Sequence, residues 1–252
     1  MTIQYASDLH LEFEHNKRFI TENPLKPKGD VLLLAGDIVQ FAHMEDHNDF
    51  WDYISKHFPL TYWIPGNHEY YGYELTNKYG TFKESIRENV FLVNNHTEKI
   101  GDISIIFSTL WSSIHPQREY VFQRDFNDFK VIKYNNRPLR VEDYNALHAE
   151  SLLFLTEALR ANRDQKSIAV THHVPTFTHY PPKYLGDVLN QGFATELYKL
   201  MLEEEPNYWI YGHHHHNTPA FEIGKTKLLT NQLGYLLFRE IKDFDGGKCF
   251  EL

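Results

Sequence analysis

Thiols are nearly absent from this chain: Cys249 is its one cysteine among 252 residues. That excludes an internal disulfide and fits a reducing compartment. Long apolar runs are missing as well. No stretch of 18 apolar residues occurs, so no membrane span is expected. The first apolar run already contains Asp8 and His10, which is unlike a secretory leader. Positive charge is scarce, with 25 Lys and Arg against 34 Asp and Glu and a formal net charge of −9. Such a balance gains little from counterion release, so nucleic acid is not favoured as a partner. These absences point to a cytoplasmic protein acting on a small molecule. Oligomeric state cannot be read from the sequence.

What the chain does contain is an alternation of short apolar runs and amphipathic stretches, the rhythm of an α/β fold. Strands are expected at residues 3–6, 31–35, 61–64, 103–107, 167–170, 208–211, 219–223 and 227–229. Helices are expected at 46–57, 75–88, 143–160 and 193–204. In the third helix Leu152, Leu155 and Leu159 recur at helical spacing and give it a core face. The length suits a single domain spanning 1–252.

Five polar clusters stand just past five of the expected strands. They are Asp8-Leu9-His10, Gly36-Asp37, Gly66-Asn67-His68-Glu69, Thr171-His172-His173 and Gly212-His213-His214-His215. In α/β sheets the carboxyl edge of the strands is where loops converge on a ligand. The donor set consists of carboxylates, imidazoles and an amide, which suits divalent ions such as Mn, Fe, Zn or Ni. No cysteine falls in any of the five, which argues against a structural zinc site. If residues 213–215 are extended, His213 and His215 project to one side and His214 points away. Glycines 36, 66 and 212 allow sharp turns beside the ions. Most other histidines (His15, His43, His47, His57, His96 and His148) read as surface or packing residues.

In order and spacing the five blocks resemble the calcineurin-like metallophosphoesterase superfamily, whose pattern is D-x-H, G-D, G-N-H-D/E, H and G-H-x-H. That resemblance implies a four-layer αββα sandwich of two mixed β-sheets flanked by helices, with the metal site at the carboxyl ends of the strands. It implies two divalent ions per chain. Asp8, His10 and His215 would hold one, Asn67, His172 and His213 the other, and Asp37 would bridge them. His68 becomes a non-ligand histidine that protonates or stabilises the leaving group. The implied reaction is hydrolysis of a small phosphodiester or phosphomonoester by a metal-bridging hydroxide, with ions about 3.5–4 Å apart. A nuclease of the same superfamily and a non-catalytic scaffold of the same fold are the alternatives. Protein phosphatases of the superfamily carry an acidic residue three positions after the bridging Asp, followed by an arginine. Here those positions are Gln40 and Phe41. A neutral Gln40 would support a protonated His68 less than a carboxylate would, and the missing arginine removes a phosphate clamp.

A finer resemblance, to a bacterial group of small metallophosphoesterases, is carried by Thr109-Leu110-Trp111, Asn127-Asp128-Phe129, Tyr184-Leu185-Gly186-Asp187 and Leu189-Asn190. Tyr70, His173, Tyr184 and Asn190 are the candidate substrate-binding residues. Residues 111–145 read as a lid-like insertion. Its central part, rich in aromatics and carrying six Lys or Arg between 115 and 140, is expected to form a wall over an anionic substrate.

Overall fold

Val31-Leu32-Leu33-Leu34-Ala35 is apolar at every position, and all five residues are buried. Unbroken apolarity of this kind marks a parallel strand covered on both faces. The computed structural model describes residues 1–252. Its strands are β1 (Thr2–Ala6), β2 (Val31–Ala35), β3 (Thr61–Ile64), β4 (Phe82–Arg87), β5 (Val90–Asn94), β6 (His96–Ile100), β7 (Ile103–Ser108), β8 (Lys133–Tyr134), β9 (Arg137–Pro138), β10 (Lys166–Thr171), β11 (Tyr208–Ile210), β12 (Phe221–Ile223), β13 (Thr226–Leu229) and β14 (Cys249–Glu251).

Two six-stranded sheets result, in the orders β14-β1-β2-β3-β5-β4 and β12-β13-β11-β10-β7-β6. Each has four parallel inner strands. Each is closed at both edges by an antiparallel strand. The sheets pack face to face through Tyr5, Leu33, Ile64, Ile105, Phe107 and Val170, among others. Helices Glu14–Glu22 and Asn48–His57 cover the outer face of the first sheet, where Ile20, Trp51 and Ile54 pack on Leu32, Leu34 and Trp63. Helices Val141–Ala161 and Tyr198–Glu204 cover the second, with Leu155, Leu159 and Met201 on Ile106, Ala169 and Trp209. The fold is therefore the expected four-layer sandwich of two mixed sheets flanked by helices.

Residues 75–88 differ from expectation. Only a single turn, Leu75–Asn77, is helical, and β4 follows as an edge strand paired with β5. Its half-buried residues alternate with exposed ones from Phe82 to Ser85, a period of two that marks a strand rather than the helix expected at 75–88. The region from 111 to 145 is ordered rather than irregular. It forms helices Glu119–Asp125 and Asp128–Val131, the β8–β9 hairpin and the start of helix Val141–Ala161. These close around Trp111, Phe122, Phe126, Phe129 and Tyr144.

Candidate metal centre

The loops leaving β1, β2, β3, β10 and β11 meet at one edge of the sandwich and bring all five polar clusters together. Their backbone is strained. Asp8, His10, Asp37, His213 and His215 all have left-handed φ, between 49° and 82°. Non-glycine residues rarely adopt that region and hold it only where surrounding contacts enforce it, as at functional sites. Segment 213–215 is accordingly not extended. Its left-handed turns aim His213 and His215 at different halves of the centre, and His214 is buried beside Gln232. Glycine is required at Gly66, where an added Cβ would stand 2.2 Å from Asp37 Oδ1 and 2.6 Å from the His172 ring.

Three groups of donors form, one of them His10, Glu12 and His68, and the other two share Asp37. Asp8, His10, Asp37 and His215 make one, and Asp37, His172 and His213 make the other, each with ligand atoms within 4.8 Å of one another. Asp37 Oδ2 lies 3.7 Å from His10 Nε2 and 3.4 Å from His172 Nε2, so one carboxylate oxygen faces both groups. Asn67 Oδ1 is 3.2 Å from His172 Nε2 and joins the second. The seven residues singled out from the sequence are thus neighbours.

The hydrogen bonds fix the tautomers. His172 Nδ1 faces the Ala35 carbonyl at 2.9 Å and must donate to it. His10 Nδ1 faces Glu12 at 3.0 Å and His215 Nδ1 faces Glu240 at 2.7 Å. His213 Nε2 faces the Gly192 carbonyl at 3.3 Å. Each ring spends its N–H outward, which leaves the inner nitrogen as a bare lone pair. Those lone pairs confront one another: His10 Nε2 is 2.9 Å from His215 Nε2, and His172 Nε2 is 3.0 Å from His213 Nδ1. Two acceptors at that spacing repel unless a cation or a proton lies between them. The donor set therefore fits divalent metal ions.

In the metal-free chain protons take that place. Burial opposes charge on His172, but Asp37 pushes it up to about 9. Burial likewise opposes charge on His215, yet Asp8 and Glu240 push it up to about 10. His213, buried beside His173 and His172, is held well below the usual range and stays neutral.

His68 stands outside the ligand set. Its Nδ1 faces Glu12 Oε1 at 2.9 Å and its Nε2 faces the Tyr235 hydroxyl at 3.0 Å. Glu12, despite burial, is held near 2 by His10 and His68. The neutral residue at position 40 therefore does not leave His68 without an acidic partner. Glu12 supplies the carboxylate from the loop after β1, and Asp37 and Glu12 raise His68 against its burial. Glu69 ties three stretches of chain together, since its carboxylate accepts from the backbone N–H groups of Asp37, Ile38 and Gly66 and from Trp63 Nε1. Asp128 accepts from Asn67 Nδ2 at 2.9 Å and so turns the amide oxygen of Asn67 toward His172.

A cavity of about 730 Å³ opens over the centre. Tyr184 and Asn190 line it, as do Phe13, Tyr71, Phe126 and Tyr235. Tyr70 does not. Its ring is buried against Phe41 and Trp111. His173 does not either. It is fully buried, its Nε2 bonded to the Tyr144 hydroxyl and its ring against His213. Among 115–140, the wall consists of Asp125, Phe126, Asn127 and Asp128, with none of the six basic side chains. Arg124, Arg137 and Arg140 are instead paired with Asp125, Asp143 and Glu142. The expected basic wall is aromatic and acidic.

Glu12, Asp128, Tyr235 and Glu240 carry no motif of their own. Only Glu12, two residues past His10, and Asp128, inside Asn127-Asp128-Phe129, left a trace in the sequence.

The chain matches the calcineurin-like phosphoesterase family over residues 1–217. It is 31% identical over 258 residues to the uncharacterized protein L509 of Acanthamoeba polyphaga mimivirus, which covers 92% of this chain and 91% of that one. In structure it is similar to the phosphopantetheinyl hydrolase of Mycobacterium tuberculosis, with a TM-score of 0.69 at 15% identity over 97% of this chain and 94% of that one. The second likeness concerns the fold.

Proposed function

This chain belongs to the calcineurin-like phosphoesterase family, and on that premise we propose that it is a dinuclear metal-dependent hydrolase of a small phosphate ester, with diesters favoured. Asp8, His10 and His215 would hold one ion and Asn67, His172 and His213 the other, with Asp37 available to both. When bound, divalent ions such as Mn, Fe, Zn or Ni neutralise phosphate charge and activate water at neutral pH. The observation that carries this reading is the single Asp37 oxygen facing both groups of donors.

The chain's own residues do the rest. Glu12, Glu240 and the Ala35 and Gly192 carbonyls orient the imidazoles. Asp128 orients Asn67. His68, raised by Asp37 and Glu12 against its burial, is placed to hold the proton that the leaving oxygen needs. The absence of Lys and Arg from the cavity lining supports a singly charged diester over a dianionic monoester, because His68 is left as the one lining side chain proposed to carry positive charge toward the phosphate. The same lack opposes the nuclease reading, which needs a basic groove. We assign residues 1–252 to a single domain whose 111–145 segment walls the substrate. No helix is long and apolar enough to cross a membrane.

The test is to strip the protein with a chelator, restore manganese, and assay bis(p-nitrophenyl) phosphate beside p-nitrophenyl phosphate. Faster turnover of the diester is expected. No turnover of either by the manganese form would remove this reading.

A further inference from the structure

The strand-poor segment after Leu229 returns over the mouth of the metal centre, beyond the residues that match the family. There the Tyr235 ring packs on His10 at 4.6 Å, edge-on to His215 at 4.4 Å and against Phe13 at 5.2 Å. Its backbone N–H donates to Glu240 Oε2 at 2.9 Å, the same oxygen that faces His215 Nδ1. The position of Tyr235 is thus tied to that of a metal-binding imidazole.

His68 is clamped on three sides. Glu12 faces Nδ1, the Tyr235 hydroxyl faces Nε2, and Tyr71 stacks on the ring with centroids 4.0 Å apart. Glu12 can only accept, so Nδ1 keeps its proton. Nε2 is then the one atom through which His68 can pass a proton, and although the residue borders the cavity, the partner that Nε2 meets 3.0 Å away is a phenol. Tyr235 itself lines the cavity. For His68 to reach a leaving oxygen directly, either the imidazole or the phenol would have to leave its packed place.

We propose that Tyr235 is a catalytic residue, the group that touches the leaving oxygen and relays to it the proton of His68. This rests on the phosphoesterase reading above. In the step, the attacking oxygen bonds to phosphorus and the bond from phosphorus to the leaving oxygen breaks, its electron pair remaining on that oxygen. The Tyr235 hydroxyl gives its proton to the departing oxygen and takes the Nε2 proton of His68. Tyr235 ends neutral, His68 ends neutral with Nδ1–H still on Glu12, and one proton has moved to the product alcohol. Glu12 is a positioning residue for this relay, since it acts only through His68.

The relay matters in proportion to how badly the leaving group needs a proton. The experiment compares methyl p-nitrophenyl phosphate, whose phenolate leaves unaided, with methyl phenyl phosphate, whose phenolate is far more basic. Both are assayed with the manganese-loaded wild type and with Tyr235→Phe, His68→Gln and the double variant. Tyr235→Phe should lose about 100-fold on the phenyl ester, the lower end of the general-acid range, and less than about 3-fold on the nitrophenyl ester. The ratio of the two rates comes from one protein sample, so incomplete folding or metal loading cancels. The double variant should lose no more than the larger single loss, as expected for groups that work as one unit. Equal losses on both esters, an undiminished phenyl-ester rate in Tyr235→Phe, or multiplicative losses in the double variant would each overturn the relay. Each of those results leaves the phosphoesterase reading standing, whereas a wild type silent on both esters takes both down.

Discussion

Glu69 has every lone pair committed. Ile38 N and Trp63 Nε1 donate to one oxygen, Asp37 N and Gly66 N to the other. Burial and the neighbouring Asp37 push its carboxyl up to about 8 even against the pull of the backbone donors Ile38 and Gly66. Glu69→Gln would aim an amide N–H at two N–H donors. A loss of about 1–3 kcal/mol for each donor left unpaired is expected in denaturant unfolding of the metal-free protein. Protonation of His172 and His215 makes a second prediction. Their folded values, about 9 and about 10, lie above the ordinary histidine value. Groups raised in the folded state contribute stability that is complete below about pH 6.5 and lost as pH climbs through the folded values. The chelated protein should therefore melt at progressively lower temperature from about pH 6.5 toward about pH 10. Metal uptake near neutrality should release protons, seen as a buffer-dependent heat in calorimetry. A melting temperature that rises over that interval would contradict the assignment.

At the scale of elements, the strands that carry the site were the easiest part to read. β2, β3, β10 and β11 are short apolar runs closed by a turn residue, and burial on both faces is what makes them so. The order of the ligands was legible for the same reason, since each follows a strand end. β4 was not legible, because Phe82 and Ile86 fit a helical spacing as readily as an alternating one, and pairing with β5 decided the matter. The supports at Tyr235 and Glu240 were illegible because no local pattern links them to the rings they face; only the tertiary fold does. Gly66 tests how tightly the loops are packed. Gly66→Ala places a methyl group on Asp37 Oδ1 and the His172 ring. Elemental analysis of the purified variant should find less than one manganese per chain, and diester hydrolysis should fall by at least about 100-fold. Full metal content would mean that these loops can shift apart.

The whole molecule places its seven candidate metal ligands astride a seam. Asp8, His10, Asp37 and Asn67 follow strands of the first sheet, and His172, His213 and His215 follow strands of the second. Neither sheet has a complete donor set, so metal binding and the packing of the sheets on one another reinforce each other. Ligand at about 100 times its dissociation constant stabilises the folded state by about 2.7 kcal/mol. For a chain of this size that corresponds to a rise of about 5–10 °C in melting temperature. Differential scanning calorimetry with manganese and with chelator measures it, and coincident transitions would count against ions spanning the seam.

The closing strand β14 pairs with β1 through Thr2↔Glu251 and Gln4↔Cys249, and the stretch leading to it holds Tyr235 and Glu240 against the site. During translation, all seven donors have been made before either of those side chains exists. A chain still lacking Tyr235 and Glu240 would present the donors with the His68 and His215 rings unbraced, so the proposed catalytic arrangement depends on side chains made after every donor.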